Sequence, residues 1–289
     1  MLRTLAIVLA LAAPGALPAQ PTTSIQSQSH GGPVAPMVDR LWNTLDLDAL
    51  MPILREEAVS EASEMQQNLF ERGGTGGWTQ QVASIHDPAR LKRVFRDGLQ
   101  AAWPRSNEAL IEGALTFYRS DLGRRLIGLE TTARRAMLDA DAEDAAREAF
   151  AAAASREEPR VAQIWRLIDE ADLIGPNVAG GMNAAVAFSE GFAEGGGFDM
   201  PMSDEQILRD AWDQEAEIRS QTMGWMEAYL LLAYSPLSDA ELDEYIAFAS
   251  SDEGKALSAL MFSGFDALFA QTSRDLGLAA AGQMRGREL

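Results

Sequence analysis

The chain of 289 residues contains no cysteine and only two histidines. Disulfide frameworks, thiol nucleophiles, zinc fingers and iron–sulfur clusters are therefore excluded, and histidine-based catalysis or metal binding has little to work with. Cations are scarce as well: 24 Lys and Arg face 43 Asp and Glu, for a net charge of −19. Tracking nucleic-acid phosphates or coating an anionic membrane takes clustered cations, so neither is an expected partner. Motifs of the common active sites are missing too: there is no G-x-S-x-G, no H-E-x-x-H, no P-loop and no dinucleotide-binding glycine motif. No segment alternates apolar and polar residues with β-branched enrichment, so no strand is expected. What is present is a 47% apolar fraction, enough to build a packed core.

The N-terminus has a three-part layout. Arg3 precedes an apolar stretch from Leu5 to Ala13, and Pro14, Gly15, Ala16, Pro18 and Ala19 follow. That is the pattern of a secretory signal peptide, expected over 1–19, and its apolar stretch is far shorter than the ~20 residues of a membrane span. No later stretch is long and apolar enough to span, and no cysteine is available for a lipid anchor. Residues 20–36 are polar, aperiodic and contain His30, and they read as a leader with too little apolar surface to fold.

Beyond the leader the chain repeats itself. Phe117-Tyr118-Arg119-Ser120-Asp121-Leu122-Gly123-Arg124-Arg125-Leu126 recurs as Phe248-Ala249-Ser250-Ser251-Asp252-Glu253-Gly254-Lys255-Ala256-Leu257, an offset of 131. The shared pattern is F-x-x-S-D-x-G-R/K-x-L. Leu41-Trp42 with Leu45 and Leu50 matches Ile164-Trp165 with Ile168 and Leu173 at an offset of 123. Two helical copies are expected, 37–140 and 157–276, joined by a connecting helix at 141–156 and followed by a tail at 277–289. Leu122, Leu126, Leu129, Ala133, Ala136 and Met137 form one helical stripe, repeated by Leu257, Leu260, Met261, Gly264 and Leu268. Ser203-x-x-Gln206 and Ser238-x-x-Glu241 read as capping boxes, and Asp87-Pro88 as an N-cap with proline at N1. The expected fold class is all-α: a tandem duplication of a multi-helix unit, with helices packed as antiparallel pairs.

The repeated motif has a mechanical reading. One helix ends near Phe117 or Phe248, and the next starts at once with Ser120 or Ser251 as N-cap. Asp121 or Asp252 complements the dipole of the first turn. Gly123 and Gly254 then sit where glycine costs roughly 1 kcal/mol relative to alanine, which points to a close backbone approach, expected from a neighbouring helix. Arg124 and Lys255 complete the motif. These ten residues are read as structural, forming a tight helix–helix corner in each copy.

The same residues resemble the signature of an exported bacterial family known as domain of unknown function 2059. Its pattern is two aromatics, any residue, Ser or Thr, Pro, any residue, Gly, then Lys or Arg, followed by leucines. The resemblance spans 105–140 and, more loosely, 238–275, where Ala249 replaces the second aromatic. Both copies carry Asp, at Asp121 and Asp252, where the family usually has Pro. The resemblance implies a helical fold and a place in the periplasm of a Gram-negative bacterium, and it carries over no catalytic residue.

Several arrangements invite a chemical reading. His86-Asp87 is a His–carboxylate pair, but neighbours in sequence do not face each other on a helix and Asp87 is needed as a cap. Asp210, Asp213 and Glu217 align at i, i+3, i+7 on an expected helix over 203–234, with Leu208, Ala211, Trp212 and Ile218 on its other side; a solvated acidic face is the expectation. Arg124, Arg125, Arg134 and Arg135 are expected to meet the chain's own acids, beginning with Glu130 to Arg134 at i, i+4. Met200 and Met202, with Met223 and Met226, are expected to fill gaps in the core rather than bind copper. The resulting expectation is a non-enzymatic exported protein, with no cofactor and no catalytic or metal-binding residue. It would offer grooves between two similar halves to an envelope protein or an apolar ligand. A carboxylate-based hydrolase and a periplasmic Ca²⁺ or Cu⁺ binder stand as alternatives.

Overall fold

The computed structural model describes residues 34–69 and 77–285. The expected signal peptide, the leader up to residue 33 with His30, and residues 70–76 lie outside the described residues. The described residues hold thirteen α-helices and no strand. The first six are α1 (Val34–Thr44), α2 (Leu47–Leu69), α3 (Trp78–Ile85), α4 (Pro88–Ala102), α5 (Glu108–Tyr118) and α6 (Asp121–Ala136), with a 3₁₀ turn after α4. Then come α7 (Ala140–Ser155), α8 (Pro159–Glu170), α9 (Ile174–Glu194), α10 (Asp204–Asp213), α11 (Glu215–Tyr234), α12 (Asp239–Ala249) and α13 (Asp252–Arg285). The fold is all-α. No described helix is long and apolar enough to cross a membrane.

Local sequence explains most of the boundaries. Ser203 and Ser238 form reciprocal capping boxes with Gln206 and Glu241. The Asp87 carboxylate accepts the Arg90 backbone N–H at 3.0 Å, with Pro88 opening α4. Asn107 and Asp139 cap α5 and α7 in the same way. Both α1 and α8 end at an aspartate in the left-handed region, Asp46 at φ 49° and Asp172 at φ 46°, a conformation that Asp tolerates better than most side chains. The helix expected over 203–234 is interrupted at Gln214, where α10 stops and α11 begins.

Three packing features depart from expectation. First, the core is not divided between the halves. Leu126, Ala133 and Met137 of α6 and its C-cap pack with α7, α8, α9, α11 and α12. Leu257, Leu260, Met261, Phe265, Leu268 and Phe269 of α13 pack instead with α1, α2, α4 and α5. The last helix of each half thus enters the other half's core, and α13 at the same time lies along α9 of its own half. Second, α13 runs on to Arg285, past the expected end of the second copy at 276. Its Ala279 and Ala280 close a third cluster with Ala58, Ala62, Trp78 and Val82.

Third, the pairing is not antiparallel throughout. The helices α4 and α13 do run antiparallel, with Gly98 against Ala267 and Arg90 ion-paired to Asp275. The helices α9 and α13 run parallel: Gly180 faces Asp266, Gly191 faces Arg274 and Gly195 faces Ala281. A Cβ on Gly191 would lie 2.0 Å from the Arg274 carbonyl oxygen, so only glycine permits this backbone contact. The Trp42 and Trp165 match also fails to carry through: Trp42 is buried, whereas Trp165 is 48% exposed.

Candidate functional site

Each elbow is built as its sequence suggests. The Ser120 hydroxyl accepts the Gly123 backbone N–H at 3.0 Å, and the Ser251 hydroxyl accepts that of Gly254 at 3.1 Å. Asp121 and Asp252 open α6 and α13. The reason for the glycines differs from the expected neighbouring helix. A Cβ on Gly123 would lie 2.3 Å from the Phe117 carbonyl oxygen, and one on Gly254 2.3 Å from that of Phe248. The glycine lets the new helix fold back onto the end of the helix before it.

The two elbows meet. Phe117 and Phe248 stack with ring centroids 3.7 Å apart and planes within 6° of parallel. Tyr118 meets Phe248 edge-on, and Tyr245 lies parallel to Phe117. At the elbows, therefore, the groove expected between the halves is filled with rings.

Beneath this stack lies a polar centre that the sequence did not announce. The protein has four tyrosines, and Tyr118, Tyr229, Tyr234 and Tyr245 all converge on Glu130 of α6. The Tyr234 hydroxyl donates to the Glu130 carboxylate at 2.7 Å, and the Tyr229 hydroxyl donates to the Glu130 backbone carbonyl at 3.1 Å. The Tyr245 hydroxyl lies within reach of Glu130, Tyr234 and Tyr118, with one proton to give among them. Burial pushes the Glu130 carboxyl from its ordinary 4.5 up to about 7, against the opposing pull of the Tyr234 and Tyr245 hydrogen bonds. Burial likewise pushes all four phenols well above 10.

Arg134 lies one turn on, at the i, i+4 spacing that predicts a pair with Glu130. It is 4% exposed and grips Glu57 of α2 with two parallel bonds, Nε to Oε1 at 2.9 Å and Nη2 to Oε2 at 2.8 Å. Its guanidinium also lies over Trp225, 5.5 Å from the ring centroid. The other three arginines meet the chain's own acids as expected: Arg124 meets Asp121 at 2.5 Å, Arg125 meets Glu241, and Arg135 meets Glu56 at 3.8 Å. The Ser238 backbone N–H, then its hydroxyl, hold Glu241 below its ordinary range.

Beside Glu130 a cavity of about 30 Å³ is lined by Leu45, Leu47, Ile127, Tyr118, Tyr229 and Arg134. That is room for roughly two water molecules, against the ~300 Å³ and more of a ligand pocket. Glu130 has the proton affinity of a general acid or base near neutrality, and the space beside it is small. The second carboxylate nearby, Glu57, is committed to Arg134.

The remaining candidates are dispersed. His86 is buried with Nδ1 3.0 Å from the Val82 carbonyl oxygen, and burial lowers its pKa. Asp210, Asp213 and Glu217 are exposed on either side of the Gln214 break. Among the described residues no group of three or more His, Asp and Glu is placed to hold a metal ion. Met226 is in the core while Met200 is 77% exposed, so the methionine pairs do not converge. On α10, Ile207 and Ala211 face inward, but Leu208 and Trp212, expected to share their apolar side, are 49% and 67% exposed.

No family model, curated protein or solved structure matches the chain. The Glu130 centre escaped sequence reading because its members lie on α5, α6, α11 and α12, up to 127 positions apart (Tyr118 to Tyr245). The one available signal was the restriction of tyrosine to the elbow motif, α11 and α12.

Proposed function

We propose that this chain is an exported, non-enzymatic interaction protein of the bacterial envelope, assembled from two fused copies of one six-helix unit. The observation that carries the binding role is the outward pair Leu208 and Trp212 on α10, one helical turn apart, with nothing packed over them among the described residues. Large apolar side chains grouped this way mark recognition surfaces more often than isolated ones do. The signal layout over residues 1–19 supports export, and the resemblance of the elbows to the exported family, on those residues alone, supports a periplasmic place.

Fusion of two copies is supported by features that recur in order. Helices α1–α6 and α8–α13 each include a left-handed aspartate after the first helix and a serine-capped elbow before the last. Between Val38 and Ile164, Leu41 and Leu167, and Leu47 and Leu173, buried residues correspond at an offset of 126 rather than 123. The reciprocal loan of α6 and α13 is what two exchanged protomers would display after fusion.

The test is retention from envelope extract on immobilised protein, comparing wild type with a Leu208→Ser/Trp212→Ser variant of unchanged thermal stability. A partner held by the wild type and lost by the variant supports the reading. Equal retention, or none by either, overturns it.

A further inference from the structure

Resting on that reading, we infer that the α10 face receives a cationic amphipathic helix of another protein. The apolar part of the surface is small and convex. Leu208 and Trp212 stand on one side of a helix whose inward side, Ile207 and Ala211, is already buried. A free apolar molecule needs a concavity that encloses most of its surface, and an exposed helix face offers none. A partner helix can lay its own apolar stripe against this one, with the indole as the central anchor.

Charge selects among partner helices. Asp204 and Glu205, one turn before Leu208, flank the pair, and Asp210 and Asp213 add exposed charge from other sides of the same helix, against the single cation Arg209, whose guanidinium is already 3.0 Å from Glu205. At the start of α11, Glu215 and Glu217 continue the acidic field, and Arg219 is taken up by Glu215 at 2.7 Å. An apolar anchor set among carboxylates is complementary to an apolar stripe set among lysines or arginines. The same field opposes the other occupants. A second copy brings another −19 of charge and the same acids, and an anionic bilayer is repelled for the same reason.

The test uses the full chain and three synthetic helices of equal length: an amphipathic Leu/Lys peptide, the same peptide with Glu for Lys, and a Leu/Lys scramble without an apolar stripe. Binding is followed by calorimetry and by the Trp212 emission, obtained as the difference between wild type and Trp212→Phe. The expected result is binding of the Leu/Lys helix with a blue shift of Trp212, and weaker binding of the scramble. Trp212→Ala should weaken binding about tenfold or more. Asp204→Asn/Glu205→Gln, which neutralises the two acids one turn before Leu208, should weaken it severalfold and flatten its salt dependence.

The inference is overturned if Trp212→Ala leaves the affinity unchanged, which would mean unspecific attraction to a polyanion, or if the Leu/Glu helix binds as well. It is overturned equally if Trp212 emits as a buried indole in the protein alone. That would place a segment of its own chain, or a second copy seen by sedimentation, on the face. Retention of an envelope partner through Trp212 without any binding of the Leu/Lys helix would sink this inference and leave the broader reading intact. Loss of both would sink the two together.

Discussion

Replacing Glu130 with glutamine is the sharpest probe of the buried centre. Glu130 receives hydrogen bonds from Tyr234 and Tyr245, and burial raises its carboxyl from 4.5 to about 7. A raised carboxyl means that the folded state holds this proton where the unfolded state has released it. Between about pH 4.5 and pH 7 the native protein binds more protons than the unfolded chain, so stability falls as pH rises through that window and levels off above it. At ~1.4 kcal/mol per pH unit the whole effect is about 3 kcal/mol, fully absent below pH 4.5 and fully present above pH 7. Glutamine keeps a carbonyl oxygen for the Tyr234 hydroxyl and carries no charge at any pH. Glu130→Gln is therefore expected to match wild type near pH 4.5 and to exceed it by up to about 3 kcal/mol at pH 8. Urea unfolding of both proteins at the two pH values measures this as a difference of differences, which removes the contributions of the other acids. A deficit of the variant that is the same at both pH values would refute the reasoning, because it would mean that the carboxylate is ionised and well paired in the folded protein.

Other expectations follow from the packing. Gly123→Ala and Gly254→Ala each force a methyl to 2.3 Å from a carbonyl oxygen and should cost roughly 1–3 kcal/mol. Gly128→Ala, whose Cβ meets nothing within 4 Å, should be neutral or stabilising by up to about 1 kcal/mol; thermal melts in parallel decide both. Arg134→Met, which strands the Glu57 carboxylate, should destabilise by about 3 kcal/mol, and adding Glu57→Leu should restore much of that in a double-mutant cycle. Cutting the chain between α6 and α7 should leave two fragments that stay together and refold only in each other's presence, because each supplies a helix to the other's core. A cooperative melt of either fragment alone would contradict that exchange.

Much of the local architecture is legible in short stretches of sequence. The capping boxes at Ser203 and Ser238, the Asp87 cap, the serine-headed elbows and the connecting helix at α7 all follow from residues a few positions apart. Such features involve one turn of backbone and one side chain, so spacing is enough to reveal them. The break at Gln214 was not legible, because α10 and α11 carry helix-compatible residues on both sides of it. The 123-residue match pairs a buried tryptophan, Trp42, with one that is 48% exposed, Trp165, because identity of a large side chain says nothing of its burial.

By itself, then, the sequence determined an all-helical protein, the positions of its caps and elbows, and a strongly acidic surface, since periodicity, short-range hydrogen bonds and net charge are all local or additive properties. Only the tertiary structure decided that the last helix of each half enters the other half's core, that the two elbows stack ring on ring, and that four distant tyrosines enclose Glu130. It also decided that Arg134 is buried while Trp212 is exposed, although both lie on amphipathic helices. The physical reason is that helical periodicity specifies which residues share a face but not what that face will meet. Partners are chosen by shape and charge across long stretches of chain, and they become visible only when the helices are packed together.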